Sequence, residues 1–241
     1  MVPQYRVILI VILTLHAISF GFGINMLRIN FFFKSICSRK DRKNMCALTF
    51  DDGPDPHLTP AVLDLLDKYN AKATFFLIGI RAQENPDLVR EIDRRGHTIG
   101  SHDLIHSNLS NFRMGKKLTI EIGKSLDILE NILGKRPRLY RPPMGLANPS
   151  YAKVLTKLDL TCVGWNRRAF DRGNRSSMGI RGIGDLAKGG SVVMLHDALP
   201  NKKHREMILE SLTKLLESLS QKKLTAVTID SVFEIEPYSF H

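Results

Sequence analysis

The chain has 241 residues, 43% hydrophobic and 24% charged, which fits one globular domain plus an appendage and excludes a disordered or fibrous protein. A net charge of +11 and a pI near 9.7 suit an anionic neighbour, but the basic residues are spread along the chain and form no nucleic-acid module, so nucleic acid is not expected as a partner. Cys37, Cys46 and Cys162 show no CxxC spacing, which argues against a cysteine zinc site, and their odd number argues against a disulfide framework.

The first element is apolar. After Arg6, the run Val7–Leu15 begins a stretch that stays apolar to about Leu27, near the ~20 residues needed to span a bilayer. Its first nine residues would also serve as a signal-peptide core, with Ala17-Ile18-Ser19 as a poor cleavage site. The expectation is an uncleaved membrane anchor over residues 1–27, followed by a basic linker over 28–44. Arg28, Lys34, Arg39, Lys40, Arg42 and Lys43 follow the apolar segment, and by the positive-inside tendency they would hold the next domain in the cytoplasm.

From residue 45 to 237 short apolar runs alternate with amphipathic stretches. Strands are expected over Cys46–Phe50, Ala73–Ile78, Thr98–Ser101, Leu139–Arg141, Thr161–Trp165, Ser191–Leu195 and Thr225–Thr228. A helix is expected to begin with Thr59 as N-cap and Pro60 in its first turn. Others follow Pro86, run from about Lys117 to Leu133 before Gly134, and fall near Pro149–Leu158, Ile183–Lys188 and His204–Leu219. Such alternation indicates parallel pairing and an α/β domain, with residues 238–241 as a tail.

Two motifs carry chemistry. Thr49-Phe50-Asp51-Asp52-Gly53-Pro54 puts adjacent carboxylates at a strand end, and His102-Asp103-Leu104-Ile105-His106 follows about fifty residues later. An Asp with a His-x-x-x-His is a ligand set for one divalent metal, with a second carboxylate beside it as base. Each motif has a plainer reading. Acids at a turn accept backbone hydrogen bonds, and paired histidines are often surface polar residues.

These motifs, with Arg141-Pro142-Pro143-Met144-Gly145, Trp165 before Asp171, and Met194-Leu195-His196-Asp197, resemble the polysaccharide deacetylase family. This is carbohydrate esterase family four, the chitooligosaccharide and peptidoglycan deacetylases, and the motifs occur in its order over roughly Cys46 to Pro237. The resemblance implies a distorted (β/α)7 barrel and a hydrolase that releases acetate from N-acetylated amino sugars of a peptidoglycan- or chitin-like cell-surface glycan. It implies one divalent metal on Asp52, His102 and His106, with Zn²⁺ the best fit and Co²⁺, Ni²⁺ or Mn²⁺ as other choices. Asp51 becomes the general base, Arg141 its ionic partner, His196 the general acid and Asp171 the orienter of His196. Met144, Gly145, Arg172 and Met194 are expected around the substrate. A glycan substrate also implies a domain outside the cytoplasm, against the flanking charges.

Five residues depart from the family pattern. Asp103 stands where Ser or Thr usually follows the first His, Arg168 and Arg172 replace an Asp and a Trp flanking Asp171, Met144 replaces a frequent Tyr, and Met194 replaces the Leu two positions before His196. The competing expectations are an amidase or cyclic-imide hydrolase acting on a small substrate, and a membrane-tethered glycan-binding protein of weak activity.

Overall fold

The computed structural model of the chain describes residues 27, 30, 32–107, 115–145, 148–169, 183–198 and 202–240. The apolar segment expected to anchor the chain lies outside these residues apart from Leu27. Among the described residues no helix is long and apolar enough to cross a membrane.

Strand β1 (Ser35–Ile36) precedes β2 (Met45–Asp51), helix α1 (Thr59–Lys68), β3 (Thr74–Leu77), α2 (Gly79–Glu84), α3 (Pro86–Arg94) and β4 (Thr98–Ser101). Then come α4 (Gly115–Leu133), β5 (Arg136–Pro137), β6 (Leu139–Tyr140), a 3₁₀ turn (Pro143–Gly145), α5 (Ser150–Lys157), β7 (Thr161–Val163) and β8 (Arg167–Arg168). The chain continues through β9 (Val192–His196), α6 (Lys202–Gln221), β10 (Thr225–Val227), α7 (Ile229–Phe233) and β11 (Tyr238–Ser239). The main sheet is parallel throughout, in the order β1-β7-β6-β4-β3-β2-β9-β8, with β10 against the first half of β2.

All seven expected strands are present. Two more, β1 and β8, join the ends of the sheet, each too short to show a periodicity in sequence. The sheet is a curled half-barrel instead of a closed ring: among the described residues no ladder joins β1 to β8. Its curl is visible in one contact. Strands β6 and β2 lie three positions apart, roughly 14 Å in a flat sheet, yet Arg141, just past β6, reaches Asp51 on β2 at 2.6 Å. Residues on either side of 45–237 also touch the domain. Leu27 is buried in a core cluster with Tyr140, Tyr151 and Val154, β1 pairs with β7, and β11 pairs with β5.

The two faces of the strands divide the labour. Leu48, Phe50, Phe75, Leu77, Val193 and Leu195 face outward and pack on Val62, Leu63 and Leu66 of α1, Val89 and Ile92 of α3, and Leu212, Leu215 and Leu219 of α6. Burying each such side chain contributes about 1.5–3 kcal/mol. Inside, Ala47, Phe76, Leu139, Val163 and Val192 pack with Ile229 and Val232 of α7. That leaves the carboxyl ends of β2, β4, β6 and β9 to carry the polar groups.

Helix α1 differs from expectation at its start. Leu58 is the capping position, and the Thr59 hydroxyl is engaged elsewhere, donating to Asp197 at 2.7 Å. Asp55 serves the helix entrance instead, accepting from the N–H groups of His57 and Leu58.

Candidate active site

Asp51 and Asp52 would leave a regular strand in opposite directions. Asp52 breaks that rule with a left-handed backbone, φ 75°. The turn brings both carboxylates, each about 97% buried, to the same end of β2. Asp51 is in register with His196 on β9, and Thr49 with Met194, so these four side chains form two rows of the inner face.

Helix α2 fixes the two ligand loops against one another. The N–H of Ile78, just before it, donates to the Gly53 carbonyl, and Arg81 Nη1 donates to the Asp52 carbonyl at 2.8 Å. The N–H groups of Gly79 and Ile80, which have no partner inside their own helix, donate to the carbonyls of Asp103 and Leu104. Ser125 of α4 donates to the Asp103 carbonyl as well. One helix start thus holds Asp52 opposite the His102–His106 loop.

Both histidines stand 3.5 Å from Asp52 Oδ1 through Nε2, and one ligand atom from each of the three residues lies within 4.8 Å of the others. His102 Nδ1 is 2.8 Å from the Arg141 carbonyl, which can only accept, so Nδ1 carries the proton and Nε2 keeps its lone pair. Burial pushes the His102 imidazole down to about 4, and it lowers His106 as well, so both are neutral near pH 7. A His held by a backbone carbonyl through its far nitrogen is the usual support of a metal ligand. Ligands about 2.1 Å from a tetrahedral Zn²⁺ stand roughly 3.4 Å apart, close to the spacing here. Two neutral imidazoles and a carboxylate fit a divalent cation.

Arg141 is fully buried. It donates from Nη1 to Asp51 at 2.6 Å and to Thr49 Oγ1, from Nε to the Val163 carbonyl and from Nη2 to the Gly164 carbonyl. It also lies over the Phe76 ring, 4.2 Å from its centroid. Burial works to raise the Asp51 pKa, but Arg141, with His102 and His196, outweighs it and holds the carboxyl below the ordinary carboxylate range. Asp51 is therefore an ionised, oriented carboxylate.

A cavity of about 100 Å³ opens above this set, lined by Asp51, His102, His106, Met144, Gly145, Trp165, Arg168, Met194 and His196. Met144 and Gly145 both have left-handed backbones (φ 56° and 67°), and a Cβ on Gly145 would overlap the Trp165 indole. Nine expected site residues thus converge: seven line the cavity, Arg141 lies behind it, and Asp52 faces the histidines. Asp171 and Arg172 lie outside the described residues. Sequence reasoning gives no role to Asp197 or to the start of α2, and reads Thr59 only as a helix cap. Asp197 and its neighbour His196 share a motif, which was the available signal; a six-residue helix has too little periodicity to show itself.

Comparison with known proteins identifies the family and agrees with the fold. Residues 38–163 match the family model for polysaccharide deacetylase. A peptidoglycan-N-acetylglucosamine deacetylase of Bacillus cereus is 36% identical over 196 residues, covering 80% of this chain and 89% of that protein. A chitooligosaccharide deacetylase of Azorhizobium caulinodans is 38% identical over 155 residues, covering 64% of this chain and 73% of that protein. A crystal structure of a peptidoglycan N-acetylglucosamine deacetylase bound to 4-naphthalen-1-yl-N-oxidanyl-benzamide superposes with a TM-score of 0.77 at 31% identity, over 84% of this chain and 94% of that one. The chain belongs to the polysaccharide deacetylase family. It is an enzyme, a polysaccharide N-deacetylase that hydrolyses a carbon–nitrogen bond other than a peptide bond.

Proposed function

We propose that this enzyme is a metal-dependent hydrolase that removes N-acetyl groups from amino sugars of a peptidoglycan- or chitin-like cell-surface glycan. The observation that carries the reading is the meeting of the Asp52–His102–His106 cluster with the Asp51–Arg141 pair and His196 around one small cavity. A divalent ion, Zn²⁺ by preference, would be held by Asp52, His102 and His106, and when bound would supply Lewis-acid polarisation and water activation at neutral pH.

The chain's own groups account for the proton movements. Asp51 Oδ takes a proton from the attacking water, whose oxygen bonds to the acetamido carbonyl carbon. Arg141 keeps Asp51 ionised and aimed. The backbone N–H of Met144 donates to the oxyanion that forms. The carbon–nitrogen bond then breaks, its electron pair stays on nitrogen, and His196 protonates that nitrogen. Acetate and a free amino sugar result.

The test is acetate release by the full chain from chitooligosaccharides and peptidoglycan fragments, with and without chelator. Chelator-sensitive acetate release supports the reading. A ring-opened acid from a cyclic imide, with no acetate from any glycan, would replace it.

The apolar segment 7–27 supports attachment to the cell membrane, and a glycan substrate supports a domain facing outward. Protease added to spheroplasts should digest the domain. Protection until lysis would place it inside, as the basic residues after the segment favour.

A further inference from the structure

Arg168 on β8 is in register with Met194 on β9, two residues before His196. Register partners on neighbouring strands share a face, as do residues two apart on one strand. Arg168, Met194 and His196 therefore stand on the inner face together, and all three line the cavity above Asp51. The Arg168 guanidinium lies 6.0 Å from the centre of the Trp165 ring, which forms another wall of that cavity.

The remaining charges of the site already have work. Asp51 is bonded to Arg141, and Asp52 faces the two histidines. Among the described residues that line the cavity, Arg168 is the charged side chain with no part in the hydrolytic steps. A guanidinium has five N–H donors in a planar fork, so it can keep its standing contacts and still offer two parallel bonds to a carboxylate. The aromatic face beside it restricts its orientation, which lowers the entropy cost of capturing such a group.

We propose that Arg168 is a specificity-determining residue that receives a carboxylate of the substrate, so that the favoured glycan is anionic and not a neutral amino-sugar oligomer. The inference rests on the deacetylase reading of the site. The carboxylate belongs to the acetylated sugar or to its neighbour, because Arg168 shares a cavity with the reacting groups.

The experiment compares kcat/KM for acetate release from three substrates of equal length. One is an N-acetylated oligosaccharide carrying a lactyl ether carboxylate, the second is the same oligosaccharide with that carboxylate as its methyl amide, and the third is a neutral chitooligosaccharide. The wild-type enzyme should prefer the acid over its amide by about ten- to a hundredfold, the range for a charge-assisted hydrogen-bonded contact. Added salt should shrink the preference by screening. In Arg168→Gln the acid-to-amide ratio should fall towards one, whatever the absolute rates, and Arg168→Lys should retain part of it. A wild-type ratio near one overturns the proposal even if Arg168→Gln cannot be folded, and so does a ratio that survives in that variant. Absence of acetate from all three substrates would instead overturn the deacetylase reading, and this inference with it.

Discussion

The carboxyl group of Asp197 fills the space beside Gly53 where a side chain would begin: a Cβ there would stand 2.7 Å from Asp197 Cγ. Asp197 is fully buried at the end of β9, accepts from Thr59 Oγ1 at 2.7 Å, and donates its N–H to the Asp51 carbonyl at 3.3 Å. One residue thereby ties the strand end that carries His196 to the turn that carries both carboxylates. Gly53→Ala should push these apart. Misplacement on the order of 1 Å can cost about 10² in rate, so kcat/KM should fall about a hundredfold with an unchanged circular dichroism spectrum. Wild-type turnover in that variant would show that the contact does not hold the site.

Burial pushes the Asp197 carboxyl up to about 7; the Thr59 hydrogen bond opposes this, and the charges of Asp55 and Asp51 add to it. The sign of the consequence follows. Between the ordinary carboxyl value of 3.8 and about 7 the unfolded chain releases this proton while the folded protein keeps it, so folded stability falls as pH rises through that window and levels off above it. Asp197→Asn removes the titration. With chelator present, the melting temperature of Asp197→Asn minus that of wild type should increase from pH 4 to 7 and then stay constant. A difference that is flat with pH would refute a buried, protonated Asp197.

Arg141 and Asp51 form a buried pair joined by a 2.6 Å hydrogen bond, so removing the cation leaves a buried carboxylate without its charge partner. Arg141→Met should destabilise the fold by about 3–5 kcal/mol. The Asp51 pKa should rise, because burial then acts unopposed by its main counter-charge. As the base must be ionised, the acidic limb of the activity profile should move to higher pH, and Arg141→Lys should move it less. An unmoved limb in Arg141→Met would assign the base elsewhere.

Much of this architecture is legible in the sequence because the parallel strands are buried on both faces. Runs such as those around Leu48, Phe75 and Val193 stand out as continuous apolar segments. The ligand residues are legible as motifs, but their geometry is not. That Asp51 and Asp52 face the same way depends on a left-handed Asp52, which no local pattern announces. The contact between Arg141 and Asp51 depends on the curl of the sheet, a property of the whole fold. Strands β1 and β8 escape notice because two residues show no alternation. Thr59 is misplaced as a cap because its hydroxyl serves Asp197, a residue 138 positions away in sequence.

The metal cluster predicts its own linkage. A group that binds only the folded state stabilises it by about 2.7 kcal/mol at a concentration a hundredfold above Kd. Adding Zn²⁺ to chelator-treated protein should raise the melting temperature, and His102→Ala and His106→Ala should each abolish the rise. About one ion per chain should be found by elemental analysis of wild type. Full occupancy in both variants would remove these residues from the ligand set.

Trp165 is the chain's single tryptophan, so its fluorescence reports on the cavity wall alone. Gly145 lies against it, and a Cβ there would stand about 3.0 Å from Cζ2 and overlap the ring edge. Gly145 is also left-handed, φ 67°, a conformation that alanine adopts at a cost of about 1–2 kcal/mol. Gly145→Ala therefore has two ways to relieve itself, by straightening the 143–145 turn or by displacing the indole. Either outcome alters the wall between Met144 and Arg168, and either one moves the emission maximum. The rate should fall through kcat if the Met144 N–H loses its place and through KM if only the indole moves. Met144, 38% exposed at the cavity mouth, can adjust to a shifted indole more easily than the buried turn can. The expected result is thus a shifted emission maximum with a raised KM and a smaller change in kcat. Unchanged emission together with unchanged kinetics would show that neither the turn nor the indole is fixed by that glycine.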